Sequence, residues 1–478
     1  MATQPKLILG PIIGGLSHEC VNLWGRAGGP GTLYAWLASG IDLRDTHLAG
    51  KTQLSEANGY CGVVAIENLE PEHIYFFALT LTPNLSPSKE AYRPLKTFPA
   101  PGATRPFRFA FGSCFRPGRT APGRAFRHIL DNQPDLDFLI LAGDQIYADA
   151  WKYNGLGYAA RTLEDYRAVY FNTWSNRYHR ELLARTPVFM TLDDHEVDND
   201  WHFHDRGHSL ADIPAYTRAL RWVTVRPKDE RQLTTQRARA GLKAYQEHQS
   251  MHAPSLSLPE TLENGSIQLV AREAGSTAYS FFFGAAAFFV LDTRTQRVMN
   301  SSEQIMLGEV QWRALEAWLL AVKDTFPLKF IVTSSAILFE MWGDFARDRW
   351  SGFPKERDRL LYFLAANGVT GVYFLAGDLH EAHTISAELY GPQGCAIPLW
   401  EFSATPFEQD TNWAAKLLKR KPRTAAVHNA KIHYSIARIN YGVVDVNFDD
   451  PLNPAVRFDL YYEDEGQWKL RSIKTLLK

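Results

Sequence analysis

Four short segments carry side chains better suited to chemistry than to packing. They are Gly112-Ser113-Cys114, Gly143-Asp144-Gln145-Ile146-Tyr147-Ala148-Asp149, Asp193-Asp194-His195-Glu196 and Gly377-Asp378-Leu379-His380. Their reactive groups are a thiol, carboxylates, a phenol and imidazoles, all donors to hard or borderline metal ions. Each segment alone has an ordinary explanation. Gly-Asp makes a turn, a lone Cys fills a small apolar gap, and Asp-Asp-His-Glu caps a helix start. Together they share a feature those explanations miss: each follows an apolar run of strand length, RFAF, DFLILA, PVFMTL or GVYFLA. In open α/β sheets the ligand crevice lies beyond the carboxyl ends of the strands. Four such ends converge on one place, and anionic side chains gathered there need cations to offset their repulsion. A two-metal site meets that need.

The elements that must position these groups are legible around them. From residue 107 onward, apolar runs such as AAFFVLDTR and LKFIVTSSA alternate with amphipathic stretches such as EVQWRALEAWLLAVK and KERDRLLYFLAAN. That rhythm predicts an α/β fold with a sheet buried on both faces. The stretch 433–474 alternates in strand fashion and should add edge strands. Residues 1–100 read differently, as short strands (LILGPII, CVNLWGRA, TLYAWLA, GYCGVVAIENL) between turn clusters, the pattern of a fibronectin-like β-sandwich. Within it, Leu69-Glu70-Pro71-Glu72-His73-Ile74-Tyr75 has the form of a tyrosine corner, in which the phenol ties down the preceding turn. The segment TFPAPGATRPF, with Pro99, Pro101 and Pro106, marks the best boundary. The expected organisation is a sandwich over 1–100 and a catalytic domain over 107–478, with no internal repeat.

Composition narrows the function. The chain has 478 residues, 45% hydrophobic and 22% charged, which excludes a disordered protein. Lys plus Arg number 51 against 52 Asp plus Glu, so no global field draws the chain to nucleic acid or to an anionic membrane. Four cysteines, Cys20, Cys61, Cys114 and Cys395, are too scattered for a disulfide framework. The longest apolar run, at 281–291, is of strand length and no span candidate. The chain reads as cytoplasmic, or as secreted or periplasmic if a leader has been cut away.

The set GSC, GDQIYAD, DDHEVDND, LDTR, DRWSGF and GDLHEAHT resembles the alkaline phosphatase D, or PhoD-like, family of the calcineurin-like metallophosphoesterase superfamily. The likeness runs over about 107–410, and GPIIGG and WGRA resemble the sandwich that accompanies it. The resemblance implies a layered α/β domain, two sheets flanked by helices, behind the β-sandwich. It implies Cys114, Asp144, Tyr147, Asp194, Asp378 and His380 as metal ligands, with Asp144 bridging. Thiolate and phenolate together favour a trivalent ion, and the carboxylates a hard divalent one. The implied pair is Fe3+ with Ca2+, with Mg2+, Mn2+ or Zn2+ as alternatives at the second site. The implied activity is hydrolysis of small-molecule phosphate mono- or diesters by a metal-activated water. His195 is the expected proton donor to the leaving group and Asn199 a substrate-side or metal-side donor. Asp200 stands where the family more often has a second Asn. Arg116, Arg161 and Arg294 remain open as phosphate clamps. The histidines of 202–208 are expected to be structural or surface groups. Two alternatives stand beside this reading: a phospholipase D-like or nucleotide phosphodiesterase, and a non-catalytic binding module with a degenerate metal site.

Overall fold

The computed structural model describes residues 6–82, 87–118, 122–201, 233–299, 304–341, 348–411, 419–451 and 453–475. The histidine-rich stretch 202–208 lies outside them. Two large sheets face each other. The first has nine strands in the order Gln467–Thr475, Ala455–Asp464, Asn440–Asn447, Phe107–Gly112, Phe138–Ala142, Val188–Thr191, Leu7–Gly14, Val21–Ala27 and Cys61–Ile66. Its central strands 107–112, 138–142 and 188–191 run parallel, so their carboxyl ends emerge side by side. The second has seven strands in the order Tyr279–Phe283, Ala286–Val290, Leu328–Thr333, Val372–Ala376, Ala396–Ser403, Ala382–Tyr390 and His428–Ile436.

Continuous apolar strands form here because both of their faces are covered. In 138–142, Phe138, Ile140 and Ala142 point into the core between the sheets, whereas Leu139 and Leu141 pack under the outer helices. The inner core is aromatic: Phe109 of the first sheet lies 5.6 Å from Phe288 and 5.5 Å from Phe330 of the second, centroid to centroid. Burying each such ring contributes about 1.5–3 kcal/mol. Helices Arg124–Asn132, Leu163–Trp174, Arg177–Leu183 and Thr235–His248 cover the first sheet, and Glu309–Val322 and Pro354–Ala366 cover the second. This is the expected two-sheet layering flanked by helices.

The N-terminal region is β-rich as expected, and its tyrosine corner is formed: the Glu70 N–H donates to the Tyr75 hydroxyl at 3.0 Å. Hydrogen bonding nevertheless crosses the boundary expected at 100–107. A four-stranded sheet, His47–Leu54, Gly31–Ala38, Ile74–Thr80 and Arg93–Lys96, supplies one layer of the sandwich. The opposing layer is the end of the nine-stranded sheet itself, where 7–14 pairs parallel with 188–191. The Pro-rich segment is pinned as well. Phe98 is 1% exposed and packs on Phe138 and Phe283, while Ala103 and Gly284 flank reciprocal backbone bonds. Proline marks the missing donors in this segment, but Phe98 decides where it sits.

Candidate metal centre

The four strand ends named at the outset meet at one edge of the two-sheet stack. Strands 107–112, 138–142 and 188–191 deliver three of them, and 372–376, from the opposite sheet, delivers the fourth. Two glycines let the ends approach. A Cβ on Gly143, at φ 95°, would lie 2.5 Å from the Asp193 Cβ, and one on Gly377 would lie 2.6 Å from the Ala142 carbonyl oxygen. The residues that follow turn sharply. Cys114, Asp144, Asp378 and His380 have φ of 64°, 56°, 67° and 52°, in the left-handed region. Such conformations cost about 1 kcal/mol or more each, and they gather where a site over-determines the backbone.

These turns bring the donor atoms together. Cys114, Asp144 and His380 each place one ligand atom within 4.8 Å of the others, and so do Asp144, Asp194 and His195. Asp144 therefore belongs to both groups. The Tyr147 hydroxyl donates to Asp144 Oδ2 at 3.2 Å and lies 3.0 Å from His380 Nε2. The Cys114 thiol receives the Thr405 hydroxyl at 3.2 Å. A third group, Asp194, Asp200 and Asp348, is already neutralised in part: Arg294 forks onto both oxygens of Asp348, and Arg297 reaches one of them.

Charge in this pocket is unbalanced. Burial pushes the Cys114 thiol up to about 12 and raises Asp144 and Tyr147 well above their usual ranges, with the neighbouring anions adding to the rise. Burial, then the cations His195, Arg116 and Arg349, lower His380 to about 3. Burial would raise Asp194 too, but Arg294 and His195 outweigh it and hold it at about 2. Asp194 Oδ1 is buried and receives no hydrogen bond among the described residues. A cation beside these groups reverses the penalty. Soft sulfur, phenol, imidazole and shared carboxylate make a donor set that fits two unlike ions.

His195 stands apart from packing. Its Nδ1 lies 2.7 Å from Asp149 Oδ1, and its ring centroid lies 4.1 Å from that of Tyr147. Burial alone would lower its pKa, yet Asp149 and Asp194 raise it to about 10. Asn199 donates to Asp200 Oδ2 at 2.8 Å. Asp378 is not in any of the three groups; its Oδ2 lies 2.9 Å from Arg349 Nε. Arg294 is fully buried and spent on Asp193, Asp348 and the Trp201 carbonyl, which removes it as a clamp. Arg161 lies over the Tyr158 ring at the start of helix 163–174.

Sequence reasoning missed Asp149, Glu196 and the pair Asp348–Arg349. Glu196 is wholly buried and accepts the N–H groups of Asp144, Gln145 and Asp193, at 3.2, 2.7 and 3.1 Å, so it clamps two of the strand ends together. The signal was available, because all four residues lie inside motifs already singled out.

A family model described as PhoD-like phosphatase matches residues 109–451. Alkaline phosphatase D of Bacillus subtilis (strain 168) is 26% identical over 357 residues, 66% of this chain and 52% of that protein. The chain thus spans about half the length of that curated relative. Among solved structures, one titled Structure of PhoD superposes with a TM-score of 0.71 at 20% identity, covering 100% of this chain and 91% of the other. The purple acid phosphatase PPD1 from yellow lupin (Lupinus luteus) seeds gives 0.57 at 12% identity, covering 98% and 74%. These last two likenesses concern the fold.

Proposed function

This chain belongs to the PhoD-like phosphatase family, and from that premise we propose that it hydrolyses phosphate esters in a metal-dependent reaction at the strand-end cluster. The observation that carries the reading is the sharing of Asp144 between two groups of ligand atoms. Cys114, Asp144, Tyr147 and His380 would hold Fe3+. Asp144 and Asp194 would hold Ca2+, with Mg2+, Mn2+ or Zn2+ as alternatives, and Asp378 would join them by exchanging its Arg349 partner for the ion. Two ions so held would supply Lewis acidity and lower the pKa of an attacking water. The chain's own part is orientation and proton delivery. Asp149 holds the Nδ1 side of His195, which leaves Nε2 to donate a proton to the departing alkoxide. Asn199 would steady the substrate or an ion. The substrates we propose are small phosphate mono- or diesters.

Elemental analysis of the purified protein and a panel of phosphate mono- and diesters assayed with defined metals test this reading. Iron plus a divalent ion is expected. A thiolate or phenolate on Fe3+ absorbs visible light, so the concentrated protein should be coloured, and Cys114→Ala should lose iron and colour first. Stoichiometric zinc without colour would overturn the ferric assignment alone. No metal, together with no turnover of p-nitrophenyl phosphate or its bis ester, would favour the binding module.

A further inference from the structure

Two of the three arginines left open by the sequence are accounted for by the fold, and Arg116 is the one at the mouth of the centre. It follows Cys114 by two residues, and its N–H is fixed on the Glu408 carbonyl at 2.8 Å. Its guanidinium carbon lies 5.9 Å from the centroid of Tyr147, whose hydroxyl touches Asp144 and His380, and 3.9 Å from that of Tyr153. Its side chain is 14% exposed, yet among the described residues its one hydrogen bond is to Asp410 Oδ2, at 2.7 Å, and Asp410 is 86% exposed. The partner thus sits in water while the arginine lies against the rings of Tyr153 and Tyr147. An ion pair with one arm in solvent is weak and readily exchanged, whereas a phosphoryl dianion offers a guanidinium fork two oxygens at once. We propose that Arg116 is the phosphate-binding arginine of this site, and that Asp410 is a built-in carboxylate stand-in that holds it until the substrate's phosphoryl oxygens displace it. This rests on the phosphoesterase reading for its substrate, but not for its binding test.

The test uses the full chain loaded with its metals, with inorganic phosphate as inhibitor and p-nitrophenyl phosphate as substrate. Arg116→Gln should raise the phosphate inhibition constant and KM by about 10- to 100-fold, the size of a lost charge-assisted contact, with metal content unchanged. Asp410→Asn, at a position too exposed to disturb folding, should lower both by about two- to fivefold. In the Arg116→Gln background that gain should vanish, which separates release of the arginine from simple loss of a repelling charge. Phosphate binding by Arg116→Gln within twofold of the parent overturns the proposal, as does a persisting gain in the double variant. If the metal-loaded parent cleaves no ester, the phosphoesterase reading fails instead, and calorimetric titration of inorganic phosphate into the same proteins still decides the role of Arg116.

Discussion

At the scale of single residues, the pair Asp149–His195 is where the proposed proton delivery can be tested apart from metal binding. Asp149 meets His195 at Nδ1 and lies in none of the three ligand-atom groups, so its loss should leave those groups intact. His195→Ala is expected to cut turnover of an ester with a poor alkoxide leaving group by about 10²–10⁴. Asp149→Asn should cut it less, by about tenfold or more, through a misaligned ring. Both losses should shrink for p-nitrophenyl esters, whose leaving group departs without a proton, and metal content should hold in both variants. Metal depletion in His195→Ala as severe as in Asp144→Ala would mean that the imidazole is a ligand, as its place in the Asp144–Asp194–His195 group allows. The convergence of the candidate donors was legible in the sequence, because each sits at the abrupt end of an apolar run. The sequence did not reveal that Asp378 faces Arg349, nor that Asp149 folds back onto His195, since both contacts exist only once separate loops have met.

At the scale of elements, the centre depends on how closely the strand ends approach. Gly377→Ala places a methyl group 2.6 Å from the Ala142 carbonyl and 2.7 Å from Ser113 Oγ, so the two sheets must part locally. The expected cost is about 1–3 kcal/mol in unfolding by denaturant, with a fall in metal affinity larger than that destabilisation alone explains. Parent-like metal affinity in this variant would show that the approach is not needed. The strands themselves were readable from their apolar runs, and the tyrosine corner from Leu69 to Tyr75. Their order was not. The pairing of Gly14 with Val188 joins segments far apart in the chain, and nothing local announces it. The N-terminal region is β-rich, and its strand 7–14 is continuous with the nine-stranded sheet that also carries 107–112, 138–142 and 188–191.

At the scale of the whole molecule, that continuity makes the N-terminal region part of one core. Deleting residues 1–106 strips Ile13, Phe77 and Phe98 from the core and opens strand 188–191 as an edge. The fragment from 107 should aggregate; a soluble fragment with a cooperative unfolding transition would show the region to be dispensable. Three buried histidines each contribute stability that is lost in acid. His179, His248 and His252 are buried, and burial lowers them to about 3, well below the usual range, and to about 4 respectively. In the unfolded chain each takes up a proton near pH 6.5. The unfolded state then binds more protons below that pH, so stability is full above about 6.5 and is lost as pH falls towards the folded values. The slope is up to about 1.4 kcal/mol per pH unit for each histidine. His179→Phe should raise the denaturant midpoint at pH 5 relative to that at pH 7, compared with the parent; an unchanged pH sensitivity in this variant would contradict this account. The strand order has a last consequence, in time rather than in space. The strand that ends at Cys114 is flanked by 440–447, and its thiol is met by Thr405 and grouped with His380. A growing chain adds about 5–20 residues per second, so tens of seconds separate the synthesis of this cysteine from that of its surroundings. Through that interval the thiol lacks the neighbours that bury it and is open to oxidants, and on the proposed ligand set metal loading would come among the last events in the making of the protein.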